Sequence, residues 1–490
     1  MQRQEETVSE FDLVIIGGGT GGYVCAIRAA QLRLKVALVE KVRLGGVCLN
    51  WGCIPTKALL ESADAYLLAR RLAEFGVQVK GTIEVDWGIM VARKNTVVGT
   101  LVEGVQNLLA GHGVQVVSGT ARLSSPRRVE VSLNEGSRMT LETRHVVIAT
   151  GSVPARPPIP GLDLPGVVTS DGLMALPGIA PSEGMQPLQA IPRRLVIIGA
   201  GVIGVEFATL FSALGAQVTV LEMLPHILPP VDRELAKRYR ASLRKQGVEL
   251  ALGARVEEVS VVEKGLAVRY AAEGQPETVK ADLVLNATGR VPFSEGLGLD
   301  ELGVSRERGR VLVDDRLATN VPGIYAVGDV TGKVMLAHVA SRQGEVVAEV
   351  ISGRDSRMDY RAVPNVVFSM PEIAGVGLTS QEAKEQGIEV EVGTFPFSAS
   401  GKALTQGEAE GQVRLLCEPG SGKVLGLHVM GPGASDLIAE GALAVQLGIT
   451  AQEIAETIHA HPTLPETVAE AARVVAFGEA IHFMKLGKRR

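Results

Sequence analysis

Cysteine is scarce in this chain: Cys25, Cys48, Cys53 and Cys417 are all there is among 490 residues. Four thiols are too few for a disulfide framework in so long a chain, so a reducing setting, the cytoplasm, is expected. No apolar run is long enough to span a bilayer. The opening "MQRQEETVSE" lacks the basic start and apolar core of a secretory signal, and it is too acidic for a transit peptide. Positive charge is not in excess either. Lys and Arg number 49 against 54 Asp and Glu, a net charge of −5, which leaves no electrostatic footprint for nucleic acid. What remains is a soluble globular composition, 46% hydrophobic and 21% charged, with length for several domains.

Glycine is plentiful, and its placement organises the chain. "DLVII" reads as a buried strand, "GGGTGG" as a turn, "YVCAIRAAQL" as a helix and "KVALVE" as a second strand. The same parts recur in the same order in "RLVIIGAGVIGVEFATLFSALGAQVTVLE". The first fingerprint is Gly17, Gly19 and Gly22, the second Gly199, Gly201 and Gly204. Glu40 and Glu222 each lie 18 residues past the last glycine of their own unit. This internal repeat predicts two doubly wound α/β domains. Pro-rich stretches, residues 154–160 and "LPGIAPSEGMQPLQAIPRR", read as linkers. Past about Arg361, "QVRLLCE" and "KVLGLHVMG" joined by "PGSG" predict a hairpin, followed by helices over 434–446 and 465–477. The last part is therefore α+β.

A single G-x-G-x-x-G is as often a tight turn with no ligand. Here each follows an apolar strand, opens a helix and has a carboxylate ending the next strand. Glycines let backbone approach a pyrophosphate at a helix N-terminus, and the carboxylate accepts from ribose hydroxyls. Two dinucleotides in one chain suggest an electron relay, with a resident flavin and an exchanging nicotinamide. Glu222 repels a 2′-phosphate, and "EMLPHILP" puts no arginine directly behind it, which favours NAD over NADP. A third signal is "IYAVGDV", where Asp329 follows an apolar strand and points to a ligand crevice. Alone, an ordinary turn aspartate accounts for it better.

Cys48 and Cys53 are separated by four residues in "GGVCLNWGCIPTKALL". Zinc needs about four ligands, and Cys25 and Cys417 offer no second pair. Inert buried thiols suit Cys25 and Cys417. For Cys48 and Cys53 the glycine turns and the helix read from "TKALLESADAYLLARRL" favour a redox pair, since a helix N-terminus stabilises a thiolate. Thiol exchange needs a proton acceptor. In "HAHPTLPE", Glu466 follows His461 by five residues and could fix its tautomer, although a lone histidine is more often a surface residue. His459 and His428 are read as ordinary histidines.

"GGVCLNWGCIPTKALL" resembles the redox-active segment of the pyridine nucleotide–disulfide oxidoreductases, and "FSMPEIAGVGLT" and "HAHPTLPE" resemble their interface domain. The likeness runs from about Phe11 to Ala476. It implies two Rossmann-like FAD- and NAD-binding domains plus a C-terminal α+β dimerisation domain in a homodimer. The boundaries expected are 1–160 for FAD, 161–287 for NAD, 288–360 for a central domain completing the FAD site, and 361–490 for the interface. The resemblance implies that Cys53 lies against the flavin and that Cys48 exchanges with dihydrolipoamide. Lys57 would lie near the flavin ring, paired with Glu206. With Gly17, Gly19, Gly22 and Glu40, residues Ala121, Asp329 and Ala337 would hold FAD. Val256 and residues 287–290, Gly289 among them, would join Gly199, Gly201, Gly204 and Glu222 at the NAD site. His461, paired with Glu466, would be the acid–base and would act on the other subunit.

The activity implied is FAD-dependent oxidation of protein-bound dihydrolipoamide to lipoamide with reduction of NAD, starting from a Cys48–Cys53 disulfide. The expected partner is the lipoyl-bearing acyltransferase of a 2-oxo acid dehydrogenase complex or the glycine cleavage carrier protein, because no lipoyl-carrying segment precedes the first fingerprint. No metal, nucleic acid or membrane is expected. Trp51 between the cysteines and Pro465, where many relatives have serine, depart from the family pattern. The alternatives are a glutathione reductase-like enzyme, against which Glu222 argues, and a mercuric reductase-like enzyme, whose C-terminal cysteine pair "IHFMKLGKRR" lacks. A non-catalytic FAD/NAD-binding subunit would need none of Cys48, Cys53, His461 and Glu466.

Overall fold

The computed structural model describes residues 8–176 and 188–484. The middle of the second linker, residues 177–187, lies outside them, as do the first seven residues and the last six. The chain forms two units. The first takes in residues up to Pro158, Val168–Ile191 and Thr288–Asp359; the second takes in Ile159–Val167, Pro192–Ala287 and the residues from Tyr360 on.

In the first unit, strand Val8–Ile16 is central to a parallel sheet. Residues 13–16 pair with 36–39 on one side and 145–148 on the other, and the sheet continues to 115–118 and to 324–326. Leu13, Val14 and Ile15 are fully buried, so both faces of the strand are covered and the sequence there is a continuous apolar run. Strand Gln115–Ser125 then turns antiparallel with Arg128–Leu133, which pairs with Arg138–Ile148. Its burial alternates along its length, as one covered face requires. Helix Thr20–Gln31 follows the first glycine turn, and Gly344 of helix Ala337–Ile351 lies against Gly21 and Cys25 on it.

The second unit repeats the plan. Strands Glu249–Leu252, Gln217–Glu222, Arg194–Ile198 and Leu283–Asn286 pair in parallel in that order, and helix Val202–Ala213 follows the second glycine turn. An antiparallel three-stranded sheet over Arg255–Val262, Gly265–Ala272 and Gln275–Ala281 packs a separate apolar cluster with it. The C-terminal part is an antiparallel five-stranded sheet with helices Ala434–Leu447, Ala451–Glu456 and Glu466–Phe477. The hairpin read from the sequence is present as Gln412–Cys417 and Val424–Met430. No helix among the described residues is long and apolar enough to cross a membrane.

Two local expectations need correction. The helix read as starting at Thr56 begins at Cys53, because Gly52 ends the preceding turn and the Thr56 N–H already donates to the Gly52 carbonyl. Pro154 is not linker: it closes the short strand Ser152–Pro154, which pairs with Arg290–Pro292.

Candidate active site

The first glycine loop is shaped by close approach. Any Cβ on Gly22 would come within 1.9 Å of the Gly17 carbonyl oxygen, and Gly204 stands in the same relation to Gly199 at 2.0 Å. Glu40 sits at the end of its strand with both oxygens engaged by backbone: Oε2 accepts from Gly18 N at 2.7 Å and Oε1 from Val42 N at 2.7 Å. The helix opening at Gly19 has no side-chain cap, so its first N–H groups lack intrahelical partners. Ahead of Gly19 the space is open, since a Cβ there would meet only Gly46 Cα at 3.8 Å. Unpaired donors facing an uncluttered cradle fit a dinucleotide pyrophosphate.

The segment carrying the thiols is laid on this loop. Gly45 N donates to Gly18 O at 2.8 Å, and Gly46, at φ +56°, abuts Gly19. Cys48 lies within the short helix Gly46–Asn50, and Cys53 is the first residue of helix Cys53–Arg70. Both carry thiols, and the two are hydrogen-bonded to each other. That hydrogen bond pushes the Cys48 thiol well above its ordinary range; burial and the neighbouring Cys53 sulfur add to the shift. The Thr20 hydroxyl and the Lys57 charge pull the other way. Tyr23 is raised by burial and by Cys48, which places its phenol in the same neighbourhood. By contrast Cys25 and Cys417 are fully buried, with burial taking each to about 12. Trp51 is buried, and its indole N–H has no partner among the described residues.

Asp329 follows strand Ile324–Ala326 in a single 3-10 turn, and Oδ2 accepts from Ser152 Oγ at 2.6 Å. Ala337 is the first residue of helix Ala337–Ile351, whose N-cap Leu336 offers no side-chain cap. Ala121 is buried in the apolar cluster beneath the first sheet, so only its backbone is available to a ligand.

In the second unit Glu222 repeats the arrangement of Glu40. Its Oε2 accepts from Ala200 N at 2.6 Å and its Oε1 from Leu224 N at 2.7 Å, and it is more deeply buried. The helix opening at Gly201 is likewise uncapped. Glu206, on that helix, accepts from Phe368 N at 3.0 Å. Val256 pairs with Tyr270 in the antiparallel sheet. Residues 287–290 are divided: Ala287 belongs to the second unit, whereas Gly289 and Arg290 belong to the first. Lys57 and Glu206 likewise fall in different units.

His461 and Glu466 are brought together as their spacing suggested. The imidazole Nδ1 is 2.8 Å from Glu466 Oε1, while Oε2 accepts from Thr463 N at 2.8 Å. Because Nδ1 faces the carboxylate, Nε2 is the nitrogen presented outward, and His461 is 80% exposed. Burial works to raise the Glu466 carboxyl. The Thr463 and His461 hydrogen bonds, with the charges of His461 and His482, outweigh it and hold the group below the usual carboxylate range. His459 also has a carboxylate, Glu440 at 3.1 Å, and His428 is buried against the Leu378 carbonyl. Thr20, Tyr23 and Ser152 were not found from the sequence, since none belongs to a pattern that spacing reveals. Among the described residues no group of three or more His, Cys, Asp or Glu is arranged to hold a metal ion.

Residues 11–344 match the family model for pyridine nucleotide-disulphide oxidoreductases, and residues 363–472 match that family's dimerisation domain. The chain is 41% identical over 478 residues to the mitochondrial dihydrolipoyl dehydrogenase of Pisum sativum, covering 96% of this chain and 93% of that one. It is also 41% identical over 476 residues to the dihydrolipoyl dehydrogenase of Geobacillus stearothermophilus, covering 97% and 98%. Among solved structures, LpdA from Mycobacterium tuberculosis superposes with a TM-score of 0.85 at 30% identity, over 94% of this chain and 99% of that one.

Proposed function

The chain belongs to the pyridine nucleotide-disulphide oxidoreductases, and we propose that it oxidises protein-bound dihydrolipoamide to lipoamide with NAD as the final acceptor. It is an oxidoreductase whose cofactors are FAD and NAD(H), and its dimerisation domain makes it a homodimer. The observation that carries the substrate reading is the hydrogen-bonded Cys48–Cys53 pair seated on the first dinucleotide loop. The accompanying domain plan is an FAD domain to residue 160, an NAD domain to 287, a central domain to 360 and an interface domain beyond.

In this reading the first loop, Glu40, Asp329 and the backbone at Ala121 and Ala337 hold FAD, with Lys57 beside its ring. The second loop, Glu222, Glu206, Val256 and Gly289 serve NAD. When bound, the flavin would supply a two-electron acceptor for the thiol pair, and NAD would supply the final hydride acceptor. The protein's own residues do the rest. His461 Nε2 takes the proton of a substrate thiol while Glu466 holds the ring from behind. The substrate thiolate attacks Cys48 of the Cys48–Cys53 disulfide, forming a mixed disulfide and releasing Cys53 as thiolate. The second substrate thiol attacks that mixed disulfide, closing the lipoyl ring and freeing Cys48. The proton is shared between the freed Cys48 and Cys53 through their hydrogen bond. A second subunit supplies the His461 that serves each thiol pair.

The proposed partner is the lipoyl-bearing acyltransferase of a 2-oxo acid dehydrogenase complex or the glycine cleavage carrier protein, and the proposed place is the cytoplasm. The test is NADH formation by the purified holoenzyme from dihydrolipoamide and NAD, with NADP in parallel. Fast turnover with NAD alone supports the substrate and the role of Glu222. Retained FAD with no turnover would move the substrate to another disulfide.

A further inference from the structure

Asp329 is held by a chain of buried polar groups that no sequence pattern shows. Ser152 Oγ lies 2.6 Å from Asp329 Oδ2 and 2.8 Å from Arg290 Nε. A guanidinium nitrogen can only donate, so Ser152 Oγ must accept from Arg290 and turn its own proton to Asp329. Arg290 also donates to the Ser152 carbonyl at 2.8 Å and forks onto Asp171, through Nη1 at 2.6 Å and Nη2 at 3.3 Å. Asp171 and Ser152 are buried, at 4% and 5% exposure, so these contacts are shielded from water. The other Asp329 oxygen, Oδ1, has no partner among the described residues.

Ser152 and Arg290 lie on the two strands of the ribbon made by Ser152–Pro154 and Arg290–Pro292, in which Arg290 pairs with Pro154 and Ser152 with Pro292. Asp171 comes from the short helix Ser170–Leu173. Residues two apart share a face of a strand, so the ribbon puts the serine and the guanidinium diagonally on one face, and the carboxylate of Asp171 fixes the plane of the guanidinium.

We infer that Arg290 and Ser152, anchored by Asp171, are positioning residues for the flavin. They fix Asp329 through Oδ2 and present Oδ1 as an oriented acceptor to a cofactor hydroxyl. The hydrogen bond from Ser152 is strengthened because its oxygen accepts from a cation. This assignment rests on the reading that Asp329 holds FAD. It moves Arg290 away from the nicotinamide site, where the sequence had put it.

The experiment titrates FAD-stripped protein with FAD, followed by flavin fluorescence, and records the melting temperature of each apoprotein. Ser152→Ala leaves the Arg290–Asp171 pair intact and removes only the relay. It should weaken FAD binding about tenfold with the melting temperature unchanged, and Ser152→Thr should restore binding. Arg290→Lys, which cannot fork, should also weaken binding. Asp329→Ala should weaken it more than either. If Asp329→Ala binds FAD poorly while Ser152→Ala binds as the wild type does, the relay is wrong and the role of Asp329 stands. If Asp329→Ala binds normally, the reading of Asp329 itself is wrong. A loss in Ser152→Ala that tracks a lowered melting temperature, or that threonine does not restore, would make the role merely structural and overturn the inference.

Discussion

Gly46 and Gly19 lie so close that a Cβ on Gly46 would come within 2.6 Å of Gly19 Cα. That approach fastens the thiol segment to the dinucleotide loop, so one packing contact sets two functional elements. Gly46 also has φ +56°, a region that costs a side chain on the order of 1 kcal/mol or more. Gly46→Ala should therefore lose FAD and thiol pairing together. Flavin content of the purified variant and its rate of reaction with a thiol reagent would both change. A variant with full FAD and normal thiols would refute the coupling.

Cys48→Ser should abolish lipoamide turnover while leaving FAD bound, because the glycine loop and Glu40 do not depend on the sulfur. Steady-state turnover and the visible flavin spectrum check this. Normal turnover would sink the assignment of Cys48 as the exchanging thiol.

His461→Ala should slow flavin reduction by dihydrolipoamide by roughly 10²-fold or more, the usual size of a lost general base. Stopped-flow absorbance measures it directly. An unchanged rate would remove His461 from the mechanism.

Glu466 gives that dyad an acid limit. Its carboxyl is held below the usual range, so the stabilising contribution is complete above the ordinary carboxylate value. It is lost as pH falls through the lower, folded-state value. Glu466→Gln should lack this loss. Unfolding of wild type and variant should therefore converge at acid pH, and parallel curves throughout would contradict the sign.

Lys94 is 2% exposed, and among the described residues its ammonium donates only to the Met174 carbonyl, at 3.2 Å. Burial lowers it from 10.5 to about 8. Below pH 8 the folded state carries a buried charge at a cost on the order of 3 kcal/mol. That cost is relieved as pH rises from 8 to 10.5, because the unfolded chain then binds more protons than the folded one. Lys94→Met should be more stable than wild type at neutral pH, by less than this because Met174 O loses its donor. The advantage should shrink above pH 8. Denaturant unfolding across that range would show it, and a gap independent of pH would count against it.

Local units are legible in the residue pattern. Strand, glycine turn and helix are read from apolar runs and turn residues within some thirty positions, and the 18-residue spacing to Glu40 and Glu222 follows from strand and helix lengths. The Cys48–Cys53 and His461–Glu466 pairings are also short-range, and so both were legible. Tertiary packing alone decided which atoms close each site. Thr20 meets Cys48 because the thiol segment folds back on the first loop. Arg290 joins Ser152 and Asp171 across more than 100 residues of chain, and Lys94 is buried against Met174 by an element far along the sequence. Contacts of that kind leave no periodic trace. They depend on the register of distant strands and on the depth of burial, which many different sequences satisfy with the same residue types.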